Sequence, residues 1–125
     1  VEAGGIDIVG HLDKIYMNGQ KYPGFSMDAA WYRKEFFDYL DLIREKRIMV
    51  EVNTKNCVKK NELYPHRIFL KNLKERNIPV MVNSDCHYPD LVNDGRAAAF
   101  DFLQEAGYKS TYELDKGCWH EMALE

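Results

Sequence analysis

The chain has 125 residues, 46% of them hydrophobic, and carries 17 basic against 20 acidic side chains, for a net charge of −3. This size and composition are typical of one globular domain. The acidic balance provides no general basic field for a nucleic acid, and no apolar run approaches the roughly 18 residues that a membrane span needs. We therefore expect a cytoplasmic protein that binds neither nucleic acid nor membrane. The 3 cysteines form no C-x-x-C pair, which predicts reduced thiols rather than disulfides.

Both ends of the sequence suggest a part of a longer polypeptide. Position 1 is Val rather than Met, and the chain enters an apolar run at Ile6 almost at once. We interpret this beginning as that of an excised piece. The final Leu124 and Glu125 are interpreted as vector-derived and are set aside in predicting the fold.

The first part of the chain predicts a strand, a polar connection and a long helix. The apolar run at 6–9 is strand-like and stops at Gly10, and a polar, glycine-containing stretch follows at 18–24. From Asp28 to about Lys46, apolar side chains recur at helical spacing, which predicts an amphipathic helix. Its predicted inward stripe is Tyr32, Phe36, Tyr39, Leu40 and Ile43.

A second strand and helix follow. The strand is predicted at 48–53 and a polar loop at 54–62. The helix is predicted to begin at Pro65, since proline is favoured at the first helical position, and to run to about Arg76. Its predicted inward residues are Phe69, Leu70 and Leu73.

The same order of elements then recurs. An apolar run predicts a strand at 79–84, and a third long helix is predicted to start at an Asp94 cap and to end at Gly107. The stretch 109–114 is a candidate fourth strand. The predicted inward residues of this third helix are Ala97, Phe100 and Leu103.

Alternating strands and helices predict an α/β fold with a parallel sheet, because right-handed crossovers bring successive strands side by side. Functional side chains of such folds gather at the carboxyl ends of the strands. His11 follows the first strand, and Asp85 and His87 follow the third. Imidazole and carboxylate groups are ligands that zinc, manganese and iron accept. A lone histidine after a strand is more often a cap or a buried hydrogen-bonding residue, so the metal prediction depends on both positions together.

Six short motifs follow one another along nearly the whole chain. They are DIVGHLD at 7–13, VEVNT at 50–54, LYP at 63–65, IPV at 78–80, NSDCHYP at 83–89 and AGY at 106–108. In this order they resemble the C-terminal half of the PHP family of metal-dependent phosphoesterases, most closely its histidinol-phosphatase branch. The ordered set is far more specific than any one of its members.

The resemblance implies a distorted (β/α)7 TIM-like barrel that holds two or three divalent ions, Zn, Mn or Fe, and hydrolyses a phosphate monoester. By resemblance, His11 matches a metal ligand of the family's third motif, and Asp85 and His87 match the ligands of its fourth. The family's first motif, an H-x-H pair, does not occur in this sequence. A full barrel needs about 250 residues. Residues 1–125 are therefore predicted to be an incomplete, C-terminal portion of the barrel that is inactive alone.

A phosphate monoester also needs cationic partners. Lys14 is close in sequence to His11, and Arg67 lies in the first turn of a predicted helix whose N-terminus favours anions. These two are the predicted substrate-binding residues. Further candidates in the predicted loops are Lys55, Lys59 and Lys60, and the alternative for all five is an ordinary solvated charge.

Polar residues near the predicted ligands have two interpretations. Glu51 and Asn53 share one face of the second strand, so they either face the site or fix its loops through hydrogen bonds, which we favour for Asn53. Asp13 either orients the ring of His11 or accepts hydrogen bonds from loop amides.

Three further residues are interpreted as ordinary structural or surface groups. Cys86 stands where the PHP family more often has alanine, and it is predicted to be an inert small side chain. His66, at a helix start, and His120, near the end of the chain, are predicted surface residues rather than ligands.

Two functional hypotheses follow from the sequence. The first is a fragment of a metal-dependent phosphatase, histidinol-phosphatase-like, that acts on a small phosphate monoester in histidine biosynthesis. The second is a non-catalytic α/β module, or a PHP-family protein with another substrate. Because an incomplete barrel leaves strand edges unpaired, both hypotheses predict association into a homo-oligomer.

Overall fold

A computed structural model of the chain describes residues 1–124, which form two sheets and five α-helices. Single 3₁₀ turns lie at Arg67–Phe69 and Pro89–Leu91. The strands are β1 (Ile8–Val9), β2 (Met49–Asn53), β3 (Val80–Asn83), β4 (Ser110–Asp115) and β5 (Cys118–Ala123). The helices are α1 (Lys14–Gly19), α2 (Ala30–Glu45), α3 (Cys57–Lys60), α4 (Leu70–Glu75) and α5 (Arg96–Glu105).

The first three strands form a parallel sheet in the order β1-β2-β3, which confirms the predicted α/β class with parallel strands. In the register of the sheet Val9 lies opposite Val50, and Asn53 lies opposite Asn83. Residues 1–124 form no closed barrel, so the finer expectation of a PHP-type barrel segment stays a prediction. The carboxyl ends of the three strands lie at one edge of the sheet, where the predicted ligands follow.

The long helix α2 covers this sheet with the predicted apolar stripe. Tyr32, Phe36, Leu40 and Ile43 are buried, and Tyr39 at the border of the stripe is half-buried. Phe69, Leu70 and Leu73 are also buried, as predicted. Together with the apolar residues of β2 and β3 they form the core, which stabilises the sheet by removing their side chains from water.

The prediction that Pro65 begins a helix is wrong. Tyr64 forms an antiparallel bridge with Asn53, in which each backbone N–H donates to the other residue's carbonyl, at 2.8 and 3.1 Å. This bridge ties the segment around Tyr64 and Pro65 to the end of β2. The helical conformation therefore starts later, as a 3₁₀ turn at Arg67 that continues into α4. A short helix that was not predicted, α1, lies directly after His11.

The third long helix begins one residue later than predicted and turns a different face inward. Its N-cap is Gly95 at φ +72°, where a Cβ would lie 2.7 Å from Cys57 Cβ, so the close approach requires glycine. Ala99 and Leu103 are buried, whereas Ala97 is exposed and Phe100 is half-buried. The prediction was wrong for Ala97 because three adjacent alanines do not define a face by periodicity.

The end of the chain forms an antiparallel hairpin of β4 and β5. The predicted strand at 109–114 is present as β4, but it pairs with β5, a strand that was not predicted. Leu124, set aside above, donates its N–H to the carbonyl of Lys109 at 2.9 Å and so belongs to this hairpin. Glu125 lies outside the described residues. Among the described residues, no helix combines the length and the apolar character required to cross a bilayer.

Candidate metal centre

The carboxyl ends of all three parallel strands meet at one group of polar side chains. His11 follows β1, Glu51 and Asn53 are in β2, and Asp85 and His87 follow β3. His11 Nε2 lies 3.4 Å from Asp85 Oδ2, although the two residues are far apart in sequence. The structure therefore brings these two predicted ligands together. Their role as ligands stays a prediction.

Glu51 holds the imidazole of His11. Its Oε2 lies 3.5 Å from His11 Nδ1 and accepts the backbone N–H of His11 at 3.3 Å. A Cβ on Gly10 would lie only 2.8 Å from the same oxygen, so glycine at this position leaves room for the carboxylate. A carboxylate on Nδ1 favours the tautomer that keeps a lone pair on Nε2, the atom that faces Asp85.

Two asparagines support this arrangement. Asn83 donates from Nδ2 to Glu51 Oε1 at 2.8 Å and so fixes the carboxylate from the β3 side. Asn53 is fully buried, its Nδ2 lies 3.4 Å from His11 Nε2, and its Oδ1 accepts the N–H of Lys55 at 3.0 Å. Asn53 therefore fixes its loop, the role favoured for it from the sequence, and also faces the site.

His87 joins the group through Lys55. Lys55 Nζ donates to Asp85 Oδ2 at 3.1 Å and lies 3.4 Å from His87 Nε2. His87 Nδ1 lies 2.9 Å from the carbonyl oxygen of Asp85, which accepts its proton and leaves the Nε2 lone pair facing the lysine. All three predicted ligands thus present an acceptor atom to the same region.

The electrostatics favour an ionised Asp85. Partial burial raises the pKa of its carboxyl, but the hydrogen bond and charge of Lys55, with contributions from Asn53 and His11, outweigh burial and leave the pKa below its usual value. The side chain is 27% exposed and remains open to solvent. The lowered pKa favours the ionised carboxylate, which is a suitable partner for a cation.

The backbone is unusual at the same two residues that meet. His11 has φ +49° and Asp85 has φ +47°, in the left-handed region that residues other than glycine rarely adopt. Such conformations cost on the order of 1 kcal/mol each and concentrate at functional sites. Each turns the chain sharply after its strand and directs the side chain toward the shared edge of the sheet.

A cleft of about 280 Å³ opens beside this group. Its lining includes Lys55, Lys59, Asp85, Cys86 and His87. The thiol of Cys86 is exposed at the cleft rather than buried in packing. The cleft is large enough for a small phosphate monoester, and its lining includes two lysines.

Neither of the two predicted substrate-binding residues lines the cleft, and their role stays a prediction. Lys14 is the exposed first residue of α1, and its side chain forms no hydrogen bond or ion pair among residues 1–124. Arg67 stacks its guanidinium over the ring of Phe102, 5.4 Å from the ring centre, and does not line the cleft. The cation that contacts two of the predicted ligands is Lys55, one of the further loop candidates named above, and its partners Asp85 and His87 follow β3.

Asp13 does not contact the ring of His11. Its Oδ2 accepts the backbone N–H of His66 at 2.6 Å, which supports the second of the two interpretations, and its buried Oδ1 has no partner among the described residues. His66 caps the 3₁₀ turn by accepting the N–H of Ile68, and His120 is exposed on β5. Neither histidine contacts the site.

The burial of Asp13 predicts a pH dependence of stability. Burial raises its pKa from 3.8 to about 6, although the hydrogen bond from His66 acts in the opposite direction. Ionisation of Asp13 is therefore less favourable in the folded protein than in the unfolded chain. The free energy of unfolding should fall by about 3 kcal/mol as the pH rises from 3.8 to above about 6. Urea denaturation of Asp13→Asn should show a pH profile without this fall. Parallel profiles for the variant and the wild type would contradict it.

The donor atoms fit a divalent cation, but they are not closed around one. Among residues 1–124, no three or more His, Cys, Asp and Glu side chains are grouped closely enough to hold an ion as they stand. Imidazole nitrogens and a carboxylate are ligands that a divalent cation accepts, and hydrogen-bonding partners orient both imidazole rings. The ammonium of Lys55 already contacts Asp85 and His87, two of the three predicted ligands.

The chain was compared with protein-family models and with curated proteins, and nothing in either set matches it.

Proposed function

We propose that this chain supplies His11, Asp85 and His87 as metal ligands to a PHP-type phosphatase that hydrolyses a small phosphate monoester, with histidinol phosphate as the first substrate to test. One observation carries the proposal. His11 and Asp85 leave β1 and β3 in left-handed conformations and meet at 3.4 Å, with His87 joined to them through Lys55. When bound, a divalent ion such as Zn, Mn or Fe would supply positive charge that polarises the phosphoryl group.

The residues of the chain have separate tasks in this proposal. Glu51, fixed by Asn83, accepts the backbone N–H of His11 and lies beside its Nδ1, and Asn53 contacts its Nε2, so these residues keep His11 at the site. Lys59, exposed at the cleft, supplies charge for a phosphate dianion. Because the H-x-H ligands of the PHP family are absent from this sequence, we propose that a further segment must complete the ion cage before hydrolysis occurs.

The alternative is a non-catalytic α/β module. The contacts of Lys55 favour it, because the ammonium already satisfies Asp85 and His87 without an ion. Either function is compatible with association through β1, which pairs on one side only within residues 1–124, and we propose a homo-oligomer formed through this edge.

Calorimetric titration of the chain with Zn²⁺ and Mn²⁺ tests the proposal. We expect the wild type and His120→Ala to bind, since His120 is exposed on β5, and His11→Ala to lose binding. Hydrolysis of histidinol phosphate and p-nitrophenyl phosphate is measured on the same samples. Turnover should be absent or low for this chain and should rise when it is extended at its N-terminus by a segment that contains H-x-H. Equal binding by His11→Ala and the wild type would refute the ligand assignment.

A further inference from the structure

The ammonium of Lys55 contacts the atoms that the proposed metal ion would use. Nζ lies 3.1 Å from Asp85 Oδ2 and 3.4 Å from His87 Nε2. These are the carboxylate oxygen that also faces His11 and the nitrogen left with a lone pair by the hydrogen bond at His87 Nδ1. The ammonium of Lys55 is therefore a cation held by Asp85 and His87, two of the three predicted metal ligands.

The position of Lys55 is set by the strand before it. The backbone N–H of Lys55 donates to Oδ1 of the buried Asn53, which fixes the first residues of the loop after β2. The side chain itself is 44% exposed, so it can leave the site for solvent at little cost. Lys55 thus has a fixed backbone and a side chain that can move away. This arrangement suits an ammonium that a metal ion displaces.

Lys59 provides a contrast within the same cleft. It lines the cleft with Lys55, and no hydrogen bond or ion pair joins its side chain to Asp85 or His87 in the described part of the chain. The two lysines carry the same charge close to the same site. Of the two, only Lys55 contacts the predicted ligands Asp85 and His87 directly.

We infer that Lys55 is a resident cation of the metal-free site: its ammonium pairs with Asp85 and His87, and a divalent ion must displace it in order to bind. This inference rests on the proposed function. Lys55 thereby lowers the affinity of the site for metal and keeps Asp85 and His87 directed at one point while no ion is bound. It is a positioning residue that sets metal affinity.

Metal affinities of four forms of the full chain test the inference: wild type, Lys55→Met, Lys55→Arg and Lys59→Met. Zn²⁺ is titrated against a chelating indicator, and a thermal melt without metal checks that each variant is folded. Removing the competing ammonium should tighten Zn²⁺ binding by about tenfold in Lys55→Met. Lys55→Arg keeps a cation that can pair with Asp85, and Lys59→Met keeps Lys55, so both should stay within about threefold of the wild type.

The outcomes separate this inference from the proposed function. Tighter binding by Lys55→Met alone supports both, as does binding by Lys55→Met when the wild type binds nothing. If the wild type binds Zn²⁺ and Lys55→Met binds it equally or more weakly, the resident-cation role is refuted and the metal site stands. If Lys59→Met gains as much as Lys55→Met, the effect is general electrostatics and the inference fails. If no form binds Zn²⁺, both are refuted.

Discussion

Replacing Asp85 by asparagine should weaken Zn²⁺ binding by about a hundredfold or more. Asp85 is the residue that links the other members of the group, since its Oδ2 faces both His11 and Lys55. Asparagine keeps the shape but removes the charge that attracts the ion. Calorimetric titration with Zn²⁺ measures the change.

Asp101→Asn is the matched control. Asp101 is exposed on α5 and takes no part in the site, so its replacement should leave metal affinity unchanged. The stability of Asp85→Asn without metal should also stay within about 1 kcal/mol of the wild type, because a solvent-exposed ion pair contributes little. Unaltered Zn²⁺ affinity in a folded Asp85→Asn protein would show that Asp85 is not a ligand.

Replacing Phe69 by alanine should lower the free energy of unfolding by about 4 kcal/mol. Phe69 is fully buried, and its ring centre lies 4.2 Å from that of Phe36, at the contact between α2 and the segment leading into α4. Alanine would leave a cavity in the core that supports β2 and β3. Urea denaturation monitored by circular dichroism measures the loss.

Tyr22→Ala is the corresponding surface control. Tyr22 is 70% exposed, so its loss should change stability by about 0.5 kcal/mol or less. A Phe69→Ala protein as stable as Tyr22→Ala would contradict the described core. Since the same core positions the strand ends, we expect metal binding by Phe69→Ala to survive only to the extent that the protein stays folded.

The elements that could be predicted are those with strong periodicity. The apolar stripe of α2 could be recognised in the sequence because the helix buries one face. The apolar runs of β2 and β3 could be recognised because most of their side chains are buried or half-buried. The meeting of His11 and Asp85 followed from one general rule, that parallel strands present their carboxyl ends at one edge. No measured geometry was needed for that expectation.

Other features depend on contacts between distant parts of the chain. The late start of α4 results from the pairing of Tyr64 with Asn53, and the contact of Lys55 is with Asp85, which lies beyond β3. Neither partnership leaves a periodic signal. The hairpin of β4 and β5 left a different sequence signal, Gly117, since glycine in the second position of a two-residue loop is typical of a hairpin turn. In the structure both loop residues, Lys116 and Gly117, have positive φ.

Anomalous diffraction at the zinc edge, from crystals of the chain grown with Zn²⁺, is the most direct test of the proposed metal centre. We predict an anomalous peak within about 2.3 Å of His11 Nε2, an Asp85 carboxylate oxygen and His87 Nε2, with Lys55 Nζ moved away. A peak bound only elsewhere, or His11 and Asp85 side chains separated at the strand ends, would contradict it.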